Sequence, residues 1–492
     1  MSNTLPERAS LDHLKGQAKA LLASFRSGDP NAAARFAEIG KPQPKLADAQ
    51  LAVARSYGFE SWARLKSFVE GSADRQAALF AALRAGDRER VAAILDQHPA
   101  LVHSKWEPDF GTTTLTVAAR RGDIPLMNLL LEHGADPNAI SDWWAGGFGP
   151  LDFSDEPTTR FLLERGATLT AHAAARLSWV DELQAILARD PEAVHRRGGD
   201  GQYPLHFAKT PEIVDVLVAA GAELDARDVD HEGTPAQFQV RNEPVCRRLL
   251  EHGATPDVFI AASLDDAPLL ERLLDADPGG LVRAKNEPGN PMIPKAPGEH
   301  IYTYAFESSR LHQAAVEFGA TQCLQVLLDR SPTELRLMGW LWASQTESAE
   351  READADPEAV ARLAASAPGF LRESAFHHRT AVVRFLLARG FPPDEQDGEG
   401  MSPLMRGAMH GYADVVEAIL PYKPSLTAKN VYGGTALGTC LWGSENSWRS
   451  DGDFPATVRL LLEAGAAPPA HPSGSKAVRD VLAAWNDRHS LG

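Results

Sequence analysis

Six times along the chain an apolar helix end runs into a glycine-centred stop: LLLEHGAD from Leu129, FLLERGAT from Phe161, VLVAAGAE from Val216, RLLEHGAT from Arg248, FLLARGFP from Phe385 and LLLEAGAA from Leu460. The glycines at these stops, Gly134, Gly166, Gly221, Gly253, Gly390 and Gly465, suit the left-handed conformation that ends a helix without a Cβ clash. Weaker copies fill the intervals: ILDQHP from Ile94, ILARDP from Ile186, LLDADP from Leu273, VLLDRS from Val326, RLAASAP from Arg362 and AILPYK from Ala418. Together they predict about twelve second helices of a repeated two-helix unit.

Upstream of several copies stands a turn followed by a first helix: TTTLTVAA from Thr112, GQYPLHFA from Gly201, SSRLHQAA from Ser308, MSPLMRGA from Met401 and GGTALGTC from Gly433. Proline fits the first helical turn, where its missing N–H is not needed, and the small alanines let helices pack closely. The signature resembles the ankyrin-repeat family, whose first helix opens on Thr-Pro-Leu-His-x-Ala-Ala. The resemblance covers roughly 390 residues, about Gln76 to Pro469, and its recurrence makes it specific. It implies an all-α solenoid over residues 74–470, with short β-turn fingers between about twelve helix-turn-helix units, and a binding or scaffold role.

Some units depart from the usual length of about 33 residues. From Gly166 to Asp190, Gly253 to Asp277 and Ser366 to Gly390 the spacing is about 24 residues, short by one finger, so the row of fingers is expected to have gaps there. Residues 283–309 instead make an overlong finger rich in proline and glycine. A second insert, residues 442–455, is expected to separate the helices of the last unit.

Residues 1–71 read as a helical module, with Ser61 as N-cap and Gly71 as C-cap of its last helix. Its phrase LADAQLAVARSYGFESWARLK resembles a helical extension that often precedes bacterial ankyrin arrays. The phrase also half-resembles a helix-turn-helix. Its apolar positions, Leu65 and Phe68, are displaced by one residue, and ten basic against seven acidic residues make a weak electrostatic footprint. A cap over the open apolar end of the array is the simpler reading, with residues 475–490 as the matching C-terminal cap helix. Gly28, in a polar linker, is expected to tolerate substitution far better than the helix-stop glycines.

Charge narrows the functional classes. A formal net charge of -17 repels phosphates, which disfavours nucleic acid and favours a basic partner. Cys246, Cys323 and Cys440 lie far apart, so they read as buried or inert thiols. Neither a signal peptide nor a stretch of about 20 apolar residues is evident, so a cytoplasmic location and no membrane contact are expected.

Local motifs for chemistry are weak. Asp228, Asp230, Glu232 and Gly233 open like a calcium loop, but Gln239 stands where its bidentate carboxylate belongs. The imidazoles of His206 and His312 fall where the ankyrin resemblance implies hydrogen bonds to neighbouring turns. His377 and His378, adjacent on a helix, would point about 100° apart and could not chelate one ion. No cofactor or metal is therefore expected.

Aromatic residues within loop chemistry are the stronger lead. Trp143 and Trp144 fall in a finger, His300, Tyr302 and Tyr304 in the long finger, and Trp442, Ser444, Trp448, Arg449 and Asp453 in the late insert. These ten residues are the candidate binding set, and each ring has the alternative of packing back onto its own insert. The two inserts are expected to converge on a groove holding the largest pocket. That groove would take a protein or peptide; the alternative is an enzyme or small-molecule binder with its pocket between the inserts.

Overall fold

The computed structural model describes residues 11–282, 284, 285, 302–306, 308 and 310–489. Among them, regular structure is helical apart from one antiparallel ribbon, Lys105–Trp106 with Thr112–Thr113, and a bridge between Ala284 and Arg310. Among the described residues no helix is long and apolar enough to cross a membrane. Contacts divide the chain into two compact units: residues 1–222 with 228–230, and residues 223–227 with 231–492.

The first unit begins with helices Leu11–Arg26, Pro30–Glu38, Leu46–Ser56 and Trp62–Ala85, packed around Leu14, Phe36, Val53 and Leu65. Ser61 caps the fourth helix, accepting the Arg64 amide at 3.3 Å. Gly71 does not end that helix. The chain continues through good helix formers, QAALFAALRA, until Gly86 stops it with φ 72°, and a mid-helix glycine costs only about 1 kcal/mol. The module's last helix and the first helix of the first repeated pair are therefore one rod.

Pairs follow in register: Thr114–Arg120 with Ile124–Glu132, Ala171–Leu177 with Val180–Arg189, and others whose first helix shrinks to a 3-10 turn, as at Pro204–Phe207. All six helix-stop glycines have positive φ, from 86° at Gly390 to 101° at Gly253 and Gly465.

The short unit at 171–189 has no finger of its own, yet the row stays continuous. Asp142 donates its amide to Phe110 O at 3.1 Å, and Asp200 donates its amide to Gly146 O at 3.2 Å. The finger carrying Trp143 thus reaches over the missing position to the finger at 198–201. Gly146 permits this approach, with φ 143° and no room for a Cβ against the Gly198 carbonyl. The expected gap is closed by a longer neighbour.

In the second unit the pairs run from Pro235–Phe238 with Glu243–Glu251 to Ala436–Asn446 with Phe454–Glu463, followed by Lys476–His489. Two expectations change. Arg362 lies in an additional helix, Ala359–Ser366, while the partner of Thr333–Trp342 is Thr346–Ala355. The latter, TESAEREADA, buries only Ala349 and Ala353, so its apolar pattern is too faint to read. The late insert is also shorter than 442–455, because the Ala436–Asn446 helix carries Trp442 and Ser444.

Candidate functional site

The described stretch of the long finger, residues 302–306, is fastened to neighbouring helices. The Tyr302 side chain is buried and its hydroxyl donates to Asp257 Oδ2, while Phe306 stacks on Phe259 with centroids 5.3 Å apart. Asp257 caps the fingerless helix Val258–Ser263, and its Oδ2 also accepts from Gln237 Nε2 at 3.0 Å. Tyr304, 69% exposed, packs edge-on to His231 at 5.3 Å. As in the first unit, an overlong finger covers a pair that lacks one.

Beyond it, two consecutive pairs lack fingers. Ser331 and Pro332 join Thr321–Arg330 directly to Thr333–Trp342, and the Ala359–Ser366 helix takes up the chain before Phe370–Phe376. Fingers resume around Asp397, and the Val431 amide of the next finger donates to Glu399 O at 2.9 Å. No finger spans the interval among the described residues, and a cleft of about 440 Å³ opens there.

Ala284 and Arg310, at the feet of the long finger, line the cleft. Met338, Phe370 and Phe376 supply its apolar lining, and Arg372, Asp397 and Arg406 are among its polar lining. Arg310 donates to the carbonyl oxygens of Val282 and Ser366. Asp397 accepts from Arg406 Nη2 at 2.7 Å and lies 3.4 Å from Arg372 Nε. Burial would raise the Asp397 pKa, but the hydrogen bonds from Arg406 and the Met401 amide, with Arg372 beside it, hold the carboxyl below its ordinary value. Arg372 also bonds Glu395. The polar lining is a pre-ordered ion-pair network beside the half-buried Phe376 ring, an arrangement that can orient polar groups around an apolar contact.

Phe376 joins this cleft to the late insert. Its ring lies 6.3 Å from Trp448, and the guanidiniums of Arg406 and Arg449 stand over it at 5.7 and 5.6 Å. Trp448 is 65% exposed and meets His410 edge-on at 4.9 Å.

The other sequence candidates have different places. Trp143 donates Nε1–H to Asp200 at 2.8 Å and packs on Phe110, so it ties fingers together, while Trp144 is exposed. Asp453 caps the Phe454–Glu463 helix, and Ser444 Oγ accepts the Ser475 amide at the start of the last helix. Trp442 is half-exposed on its helix. His300 lies outside the described residues. Among the described residues the inserts meet the cleft through Ala284, with Arg310 next to the long finger, and through Phe376, which contacts Trp448. A hollow of about 650 Å³ lies elsewhere, against Lys19, Leu22 and Leu46, and the expected enclosure of a pocket by the long finger falls largely on residues outside the described ones.

Phe370, Arg372, Phe376 and Arg406 escaped the sequence reading. FLRESAF carries no Thr-Pro-Leu-His signature, and the only signal available was the missing finger before it. The buried histidines do have structural partners: His206 Nδ1 accepts the Tyr203 amide at 3.1 Å, and His312 Nε2 lies 2.6 Å from Ser331 Oγ. All three cysteines are buried, and burial pushes the thiols of Cys246 and Cys323 up to about 12.

Comparison with known proteins gives two family matches, an ankyrin repeat over residues 110–142 and ankyrin repeats in many copies over residues 371–420. A chain in the solved complex of Bd0816, a predatory endopeptidase from Bdellovibrio bacteriovorus, with immunity protein Bd3460 is 20% identical. The match covers 35% of this chain and 97% of that one, with a TM-score of 0.26. Both family matches fall on finger-and-pair segments described above, the second across the cleft itself, so the chain carries ankyrin repeats in each of its two units.

Proposed function

We propose that this protein is a scaffold of about twelve stacked helix pairs that captures a protein or peptide partner at the cleft beside Phe370–Phe376. The observation that carries the reading is the double gap in the finger row among the described residues, where the half-buried Phe376 ring borders a cleft beside the Asp397 ion pairs. Interaction through such surfaces is what ankyrin repeats do. An apolar partner side chain would sit against Phe376, with Trp448 extending the contact. Basic partner residues suit the chain's overall charge. In this reading the helices before residue 72 and the helix Lys476–His489 cover the apolar ends of the stack.

The test is photocrosslinking. A photoreactive phenylalanine at position 376 of the full chain, irradiated in an extract of the source cells, should give adducts to one protein. The same group at Trp144, in the other unit, should not. Adducts only to small molecules, or equal capture at both positions, would reject the reading.

A further inference from the structure

His378 occupies the turn between Phe370–Phe376 and Thr380–Ala388, with φ 55°. Its Nε2 lies 2.8 Å from Asp414 Oδ1 and its Nδ1 lies 3.1 Å from Asp451 Oδ2. The ring stacks on Tyr412, with centroids 3.9 Å apart and planes 6° from parallel. Asp414 belongs to the Ala413–Ile419 helix, whereas Asp451 belongs to the late insert, three residues after Trp448. One imidazole therefore joins two elements that the sequence separates by 37 residues.

A neutral imidazole has one N–H and one lone pair, so it can satisfy only one of two carboxylates. Both contacts are attractive only when the ring is an imidazolium. We propose that His378 is a protonation-dependent latch for the insert 447–453, holding Trp448 and Arg449 against Phe376 at the edge of the cleft. The idea builds on the partner-binding reading of that cleft and supplies its regulation: the latched insert presents Trp448, and the unlatched insert lets it move away.

The surroundings fit this role. Thr380 donates to Asp414, Arg449 lies near Asp451, and His410 faces Tyr412 from the far side at 5.6 Å. Neighbouring His377 turns away to meet Trp342 edge-on. Burial would lower the His378 pKa, but the hydrogen bonds to Asp414 and Asp451 outweigh it and hold the ring above its ordinary value. The sign follows: a raised pKa in the latched form gives stability that is full on the acid side of the ordinary histidine range and is lost as pH rises through the raised value. Other ties remain at any pH, since Ser447 Oγ meets His410 Nδ1 at 2.9 Å and Asp453 donates its amide to Gly411 O at 2.8 Å. The movement is thus confined to the middle of the insert.

The experiment uses the full chain labelled with 5-fluorotryptophan, with no partner added, so its outcome is independent of whether the cleft binds one. Trp448→Phe assigns the Trp448 fluorine signal. That signal should titrate with the same midpoint as the His378 Cε1–H resonance, assigned with His378→Gln. Asp451→Asn should lower the His378 midpoint and make the Trp448 signal insensitive to pH across that range, and His378→Gln should do the same to Trp448. His410 is intact in all of these variants, so a Trp448 titration that persists in Asp451→Asn belongs to His410 and overturns the latch. A Trp448 signal that ignores pH in the unmodified chain overturns it equally.

Discussion

The Tyr302 hydroxyl donates a 2.5 Å hydrogen bond to Oδ2 of Asp257, and both side chains are buried. A finger that leaves the repeat pattern is thereby locked to the cap of a helix that has no finger. Asp257 Oδ1 accepts the Ile260 amide at 2.8 Å, so one carboxylate joins the finger, Gln237 and a helix start. Burial raises the Asp257 pKa, which makes each of its donors matter. Tyr302→Phe should destabilise the folded chain by about 1–3 kcal/mol in urea unfolding, because it removes a donor from a buried acceptor. Unchanged unfolding would mean that the hydroxyl bond contributes nothing net.

Backbone conformation separates the glycines by cost. Gly134 has φ 89° and open space around its missing Cβ, so Gly134→Ala should cost only the left-handed penalty, about 1 kcal/mol. Gly146→Ala should cost clearly more, since its Cβ would overlap the Gly198 carbonyl and push two fingers apart. Gly28, which sequence singles out as tolerant, has φ 87° and belongs with Gly134, whereas Gly398, with open space and no positive φ, is the proper control. Equal unfolding midpoints for the Gly146 and Gly398 variants would refute this ranking.

At the cleft, Phe376→Ala and Trp448→Ala should each weaken partner binding by at least about 1 kcal/mol while leaving the circular dichroism unchanged. Tyr304→Ala should not, because that ring packs toward His231 and away from the cleft lining. Titration calorimetry with the crosslinked partner distinguishes the two groups. A loss at Tyr304 equal to that at Phe376 would move the binding surface to the long finger.

His312 gives a prediction in pH. The ring is fully buried against Ser331, and burial, with Arg310 nearby, lowers its pKa from 6.5 to about 4. Between those values the unfolded chain binds a proton that the folded chain refuses, so stability falls as pH falls from 6.5 toward 4, by roughly 3 kcal/mol at most. His312→Gln should flatten that part of the stability curve, measured by urea unfolding at successive pH values. An equally steep acid slope in the variant would assign the effect to other groups.

Local chemistry made much of this fold legible from sequence. Apolar helix ends, first-turn prolines and stop glycines act within a few residues, so the pairs at Thr114–Glu132 and Pro403–Ile419 and the positive φ of Gly134 or Gly253 could be read directly. The missing fingers were visible too, as spacings of about 24 residues. What those spacings became could not be read, because a missing finger is filled or left open according to whether a neighbour is long enough to cross it. Trp143 and Tyr302 sit in fingers that do cross, and their rings are consumed in tying repeats together instead of meeting solvent. Helix Thr346–Ala355, nearly without large apolar residues, is held by packing against Thr333–Trp342, a contact no local pattern announces. The cleft at Phe376 and the grip of His378 on Asp414 and Asp451 depend on residues from separate repeats, and only tertiary packing, acting across tens of residues, brings them together.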